Sequence, residues 1–412
     1  MRILEINQCH YRRGGADIVY LDTGKLLESK GHEVAYFSTV NSINENTSYS
    51  KYFIGNKNLR NISFSEKFRS VRTYLYNKEA KKKLTQLIKD FQPDVAHIHL
   101  FYASLSISVL ETLKEHNIPI VHTVHDYRLL CPVNTLMDRD KQVCEKCAKG
   151  SSFNCIAQRC SEGSLFQSTM LTLEAVYWRN IKSPLKFIDH FHFVSNFCLQ
   201  KHLEYLPELK SKCSVHYNFS EINNKRIKEY SQNYFLYYGR LSFQKGVLTL
   251  IKAWKELPPD IKLKIVGTGE QINSIKEDIT KHSLNNIELL GYKTGDELIQ
   301  LIQNAYFVIV PSEWYENNPM TIIESYHLGV PVIGANIGGI SEIIQSRETG
   351  FIFESKNELS LKNKILEANS ISTNKYEKMV RSCKNYAEQN FSSESNYTYL
   401  MKIFENNFRT QY

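Results

Sequence analysis

Glu316 and Glu324 stand eight positions apart in the stretch WYENNPMTIIESYHLGVPVI, residues 314–333. Two carboxylates held at a fixed distance could carry out glycoside hydrolysis, flanking a scissile bond as nucleophile or base and as acid. They could also grip the two ends of a nucleotide-sugar. A third reading is a solvated loop acid followed by an acid favoured by the dipole of an early helical turn. The intervening residues bear on the choice. Pro319 fits the first position of a helix, where its missing N–H is no loss. The amides of Met320 and Thr321 then point out of the helix start, where they can bind a phosphate. Glu324, just over a turn inside, could reach a ribose diol near that phosphate, and Glu316 the sugar beyond. The spacing suits a nucleotide-sugar as well as it suits an ordinary helix start.

Other residues carry chemistry of the same kind. In GRLSFQKGVLTLIKAW, Arg240 and Lys245 lie on one loop, with Gly246 allowing close approach. Two fixed cations suit a diphosphate and the charge that grows on it as it leaves; the plain alternative is a surface loop with solvated cations. RRGGAD, residues 12–17, places Gly14 and Gly15 before an apolar segment. It is a phosphate or sugar loop or a tight turn, but not the dinucleotide fingerprint, which needs a third glycine at fixed spacing. His125 ends an apolar run and could touch a substrate or be structural. Gly267 and Gly269 follow the run LKIV.

The elements that must position these residues alternate twice along the chain. RILEI, VAYFS, DVAHIHL, IPIVHTVH and HFHFVS read as strands of a first half, separated by helical stretches. YFLYYG, LKIVG, IELLG, YFVIV, PVIGA and GFIF restart the alternation. Short apolar runs between helical segments predict parallel sheets covered on both faces. The expected fold is therefore α/β, with two doubly wound Rossmann-like domains facing across a cleft. Almost every candidate residue falls at the carboxyl end of a strand, where such sheets bind ligands. The seam is expected near KCSVHYNFSEINN, residues 212–224, which is polar and loop-like. The expected domains are 1–215, 216–390, and a terminal helix in 391–412 packing back on the first.

Composition narrows the partners. At 412 residues, two domains are the natural expectation. A net charge of +8 suits an anionic ligand or membrane surface but is too diffuse to indicate nucleic acid. No run approaches the roughly 18 apolar residues of a membrane span, and the start lacks a signal peptide, so a cytoplasmic protein, or one peripheral on the inner face of the membrane, is expected. The stretch SFSEKFRSVRTYLYNKEAKKKL, residues 63–84, is basic and partly amphipathic. With Phe64, Phe68, Val71 and Leu75 on one helical face beside Lys67, Arg69 and Arg72, it could dock on anionic lipid or be an ordinary domain helix. Five cysteines lie between Cys131 and Cys160, two of them as Cys144-Glu-Lys-Cys147. Cys131, Cys144, Cys147 and Cys160 could hold a structural zinc, with Cys155 spare, or all could be reduced thiols.

Taken in order, RRGGAD, GRLSFQKG, IVGTGE, ENNPMTIIE and GVPVIGANIGGISEII resemble glycosyltransferase family 4, retaining enzymes of the GT-B fold, over nearly the whole chain. HDYRLLCP…CEKC…RC resembles a bacterial subgroup with a cysteine-bearing insertion, here about 127–163. Asp17 stands where many relatives carry Glu. The resemblance implies a nucleoside diphosphate sugar donor and a glycan or polyprenyl-linked acceptor, in cell-envelope polysaccharide assembly. Arg240 and Lys245 would hold the diphosphate, Glu316 the donor sugar and Glu324 the ribose. Asn318, Pro319, Met320, Thr321 and Gly267 would line the donor site, Gly15 would leave room for the phosphates, and His125 would contact the sugar near the reacting carbon. The implied mechanism is front-face attack without a catalytic metal or cofactor, in line with the absence of an Asp-x-Asp motif near the donor rim. A nucleotide-sugar epimerase on the same fold is the alternative enzyme. A non-catalytic carbohydrate- or metal-binding protein is the alternative class.

Overall fold

The computed structural model describes residues 1–55, 71–222 and 234–409, with side chains to 406. The chain divides into two compact units, Met1–Tyr217 with Ser393–Tyr412, and Asn218–Ser392. Each unit is built on one six-stranded parallel sheet.

In the first unit the strands are β1 Arg2–Ile6, β2 Glu33–Phe37, β3 Val95–Ile98, β4 Ile120–Val124, β5 His190–Phe193 and β6 Cys213–Val215. Their order is β2-β1-β3-β4-β5-β6. The central strands are buried on both faces, as their near-continuous apolar runs require. β6 lies inside the segment expected to be loop. Three half-buried residues at a sheet edge give too short and too polar a run to stand out in the sequence. The helix Ser393–Arg409 returns to this unit. Lys30 pairs with Glu394, His32 Nε2 meets Tyr397 Oη at 3.0 Å, and Phe404 is fully buried with Ile3, Tyr20 and Val95.

In the second unit β7 Tyr234–Tyr238, β8 Lys262–Val266, β9 Ile287–Gly291, β10 Phe307–Val310, β11 Val332–Ala335 and β12 Gly350–Phe353 take the order β12-β11-β10-β7-β8-β9. Its core gathers Phe235, Trp254, Phe307 and Phe351, with Val247, Leu250 and Ile251 from the helix Val247–Trp254.

The basic stretch 63–84 lies partly outside the described residues, including Phe64, Lys67, Phe68 and Arg69. Its described part is not one helix. Residues 71–75 are helical, and a new helix, Lys78–Phe91, starts after Asn77, whose side chain accepts from the amides of Glu79 and Ala80. Lys81 on that second helix pairs with Glu115 at 2.6 Å, and Lys83 donates to the carbonyl of Phe53. No helix among the described residues is long and apolar enough to cross a membrane.

Candidate functional site

In the second sheet the strand order reverses between β7 and β10, where the loops after the two strands meet at their carboxyl ends. That reversal explains why two distant segments form one site. The loop after β7 carries Arg240 and Lys245, and the loop after β10 carries Ser312 and Glu316. Lys245 Nζ lies 2.5 Å from Glu316 Oε1, and Ser312 Oγ donates to the same oxygen at 2.8 Å. Lys245 Nζ also sits 5.8 Å from the centre of the Trp314 ring. Glu316 is 5% exposed. Burial alone would raise its pKa, but the Lys245 charge and hydrogen bond, with Ser312, outweigh it and hold the carboxyl below its ordinary value. Arg240 is exposed, and its carbonyl accepts from the Tyr237 hydroxyl at 2.7 Å.

Close backbone approach makes this junction possible. Gly246 has φ +67°, and a Cβ there would stand 1.8 Å from the carbonyl oxygen of Pro311. Gly267, at φ +137°, would clash likewise with the carbonyl of Gly239 at 1.9 Å. Only glycine fits either position.

The helix after this loop is Met320–His327. Pro319 was expected at its first position but precedes it, with φ −69° and ψ 118°. Its fixed φ suits a helix, but its ψ is extended, so Met320 is the first helical residue. The Asn318 side-chain oxygen accepts from the Asn218 amide at 2.7 Å. Asn318 Nδ2 and Asn218 Oδ1 are buried polar atoms without a partner among the described residues. Glu324 is half-buried one turn in, and Tyr238 Oη lies 3.1 Å from its Oε2 and 2.8 Å from the carbonyl of Thr321. The structure thus gathers Lys245 with Glu316, and Asn318 with the start of the helix that carries Glu324. Ser312, Tyr238 and Asn218 were missed in the sequence. Ser312 and Tyr238 had a usable signal, since each sits at or just beyond the carboxyl end of a strand.

In the first unit, Gly15 begins the helix Gly15–Ser29 after β1, with Gly14 as its extended N-cap. Asp17 is buried and accepts from Asn7 Nδ2 at 2.8 Å. His125 follows β4 and is half-buried. Its Nε2 lies 2.8 Å from His99 Nδ1, with the two rings nearly parallel. Desolvation, then the neighbouring His122 and His97, lowers its pKa to about 3, so the ring is neutral.

At the start of the cysteine-bearing stretch, Arg128 forms a buried ion pair with Glu174. Cys131, Cys147 and Cys155 are buried. Cys144 Sγ and Cys160 Sγ each lie 3.9 Å from Gln158 Oε1. Cys155, set aside in the sequence reading, shares a hydrogen bond with Cys160. Burial, with Cys131 and Cys155 nearby, pushes the Cys147 thiol up to about 12. Among the described residues, the group whose candidate ligand atoms all lie within 4.8 Å of one another is Glu5, His97 and His99. The thiols do not stand in that relation, so as arranged they do not fit a tetrahedral zinc.

Comparison with known proteins agrees with this geometry. The model of Glycosyltransferase Family 4 matches residues 13–223, and that of Glycosyl transferases group 1 matches residues 218–390. An uncharacterised glycosyltransferase of Methanocaldococcus jannaschii is 36% identical over 174 residues, covering 41% of this chain and 48% of that one, so the match spans about half of the relative's length. N-acetyl-alpha-D-glucosaminyl L-malate synthase of Bacillus anthracis is 23% identical over 84% of this chain and 82% of its own. The crystal structure of Anabaena HepE in complex with UDP-glucose superposes with a TM-score of 0.70 at 17% identity, over 98% of this chain and 100% of that one. The two parallel sheets and this likeness give the GT-B fold. With the family-4 model covering just over half of the residues and the group 1 model most of the rest, the chain belongs to glycosyltransferase family 4.

Proposed function

We propose that the protein transfers a sugar from a nucleoside diphosphate sugar to a glycan or lipid-linked acceptor, with retention of configuration and without a catalytic metal. The observation that carries this reading is the pairing of half-exposed Lys245 with buried Glu316, beside a helix start with polar atoms unpartnered among the described residues and with Glu324 one turn inside. UDP-glucose in the Anabaena relative supports a donor of this class.

In this reading Lys245 and Arg240 hold the diphosphate and stabilise its charge as it leaves. Glu316 accepts hydrogen bonds from hydroxyls of the donor sugar, and its lowered pKa keeps it an acceptor. Glu324 holds the ribose diol. Asn318 to Thr321 and Gly267 line the donor, and Gly15 leaves space for the phosphates. His125 contacts the sugar near the reacting carbon. The acceptor hydroxyl attacks on the face from which the diphosphate departs, and a phosphate oxygen takes its proton. The side chains position the reactants and stabilise charge. By resemblance the setting is cell-envelope polysaccharide assembly at the inner face of a membrane.

The test is a scan of nucleotide-sugars for thermal stabilisation and turnover, with anomer-resolved product analysis. Transfer with a retained anomer supports the proposal. Interconversion of the free donor without transfer points instead to an epimerase.

A further inference from the structure

The first unit carries a chain of buried polar side chains that the donor site does not explain. Glu5 on β1, His97 on β3, Thr123 on β4 and His192 on β5 face one side of the sheet, because Glu5 pairs with His97, Thr123 stands two places beyond Val121, the partner of His97, and Thr123 pairs with His192. His99 and His125 follow on that same side just beyond β3 and β4. Glu5, His97, His99, Thr123 and His192 are each no more than 3% exposed. The ring of Phe404 covers His97, and Tyr399 covers His192.

The contacts form one line. His125 Nε2 meets His99 Nδ1 at 2.8 Å, and His99 Nε2 meets Glu5 Oε2 at 3.2 Å. Glu5 Oε1 meets His97 Nδ1 at 2.9 Å, and His97 Nε2 meets Thr123 Oγ1 at 2.7 Å. Thr123 Oγ1 meets His192 Nδ1 at 3.1 Å, and His192 Nε2 meets the carbonyl oxygen of His216 at 3.0 Å.

That carbonyl can only accept, which, with His192 and His99 neutral, fixes the direction of every bond before it except the one between His97 and Glu5. His192 must donate from Nε2, so its Nδ1, in the neutral ring, accepts from the Thr123 hydroxyl. Thr123 then accepts from His97 Nε2–H. His97 Nδ1 and Glu5 Oε1 share one proton between them. Whichever atom holds it, Glu5 Oε2 accepts from His99 Nε2–H. His99 Nδ1 is therefore an acceptor, and His125 must donate to it from Nε2. We propose that Glu5 and His99 are positioning residues whose one-way hydrogen-bond chain locks His125 as the Nε2–H tautomer, leaving Nδ1 as its acceptor nitrogen. Burial acts in the same direction, since it raises the Glu5 pKa and lowers those of His99 and His192. A neutral His125 with a fixed acceptor nitrogen suits a hydroxyl of the substrate and not a phosphate oxygen, which would need an N–H. Glu5, His97 and His99 also have the composition of a metal group. Each of their ring nitrogens is already engaged in the chain, which favours the hydrogen-bonded reading.

The role in transfer rests on His125 meeting the sugar, as proposed above; the tautomer does not. The ring nitrogens of wild-type protein labelled with 15N-histidine report the tautomer directly. A protonated Nε2 and an unprotonated Nδ1 at His125 are expected; the reverse would overturn the assignment, as would a stoichiometric metal ion bound to these side chains. Glu5→Gln distinguishes proton sharing from a fixed carboxylate charge, because its amide donates to His97 and accepts from His99. It should keep the tautomer and turnover within about threefold of wild type. Glu5→Leu and His99→Phe should lower kcat about tenfold or more, with donor KM nearly unchanged and no further loss when combined with His125→Ala. Gln as damaging as Leu, or additive losses with His125→Ala, would contradict the chain. A wild-type protein without turnover would overturn the transfer reading alone, and the ring nitrogens would still decide the tautomer.

Discussion

A carboxylate as buried as Glu316 stays charged only if something opposes its charge, and Lys245 and Ser312 supply that opposition. Lys245→Ala and Glu316→Gln are each expected to lower sugar transfer by at least about a hundredfold while far-ultraviolet circular dichroism shows the fold retained. The lowered pKa of Glu316 also has a thermodynamic sign. A depressed folded-state pKa contributes stability that is present above the unfolded value and is lost as pH falls through the folded one. The Tm difference between wild type and Glu316→Gln should therefore be largest near neutral pH and shrink as pH falls through the carboxylate range. A difference that grows on acidification would contradict the assigned sign. Glu316, Glu324, Arg240, Lys245 and His125 were legible as candidates because chemistry-bearing types stood at predicted strand ends. The Glu5–His99 support of His125 was not. Its members are dispersed in sequence, and only the parallel register brings Glu5 opposite His97.

At the scale of elements, the junction of the loops after β7 and β10 depends on backbones too close for a side chain. Gly246→Ala combines a left-handed φ of +67° with a Cβ 1.8 Å from the Pro311 carbonyl, and should cost at least about 1–3 kcal/mol in urea unfolding. Gly31→Ala shares a positive φ of +85° but meets no atom within 4 Å, and should cost only about 1 kcal/mol. Similar losses in the two would mean that the close approach is relieved by a small shift. In the cysteine-bearing stretch, Arg128→Met leaves the Glu174 carboxylate buried without its cation, an expected loss of about 3–5 kcal/mol. The cysteines of the same stretch are expected to behave as thiols: chelation should leave Tm unchanged, and metal analysis should find no stoichiometric zinc. Zinc in a one-to-one ratio would show that the loop rearranges around a metal. Most strands could be read from their apolar runs, to within a residue or two at their ends. The edge strand Cys213–Val215 could not, because a sheet edge needs neither length nor apolarity on both faces. The break at Asn77 was hidden for a different reason. Basic and apolar residues continue across it, and the capping side chain is the only local mark.

For the whole molecule, the alternation of strands and helices carried the fold, and the ordered motifs carried the family. Charge alone carried little. Of the lysines considered for a membrane surface, Lys81 and Lys83 have partners within the first unit. Changing Lys81, Lys82 and Lys83 to Glu should therefore reduce co-sedimentation with anionic vesicles by only a few fold. Complete loss of binding would place the membrane contact on this helix. The central claim is that the site around Lys245 and Glu316 holds a nucleoside diphosphate sugar for transfer. The most direct measurement is thermal stabilisation across a panel of nucleoside diphosphates and their sugars, run on wild type, Lys245→Ala and Glu324→Ala. At least one nucleoside diphosphate should stabilise the wild type in a concentration-dependent way, and both variants should lose most of that shift. A wild type that no member of the panel stabilises, or variants that respond as the wild type does, would contradict the account.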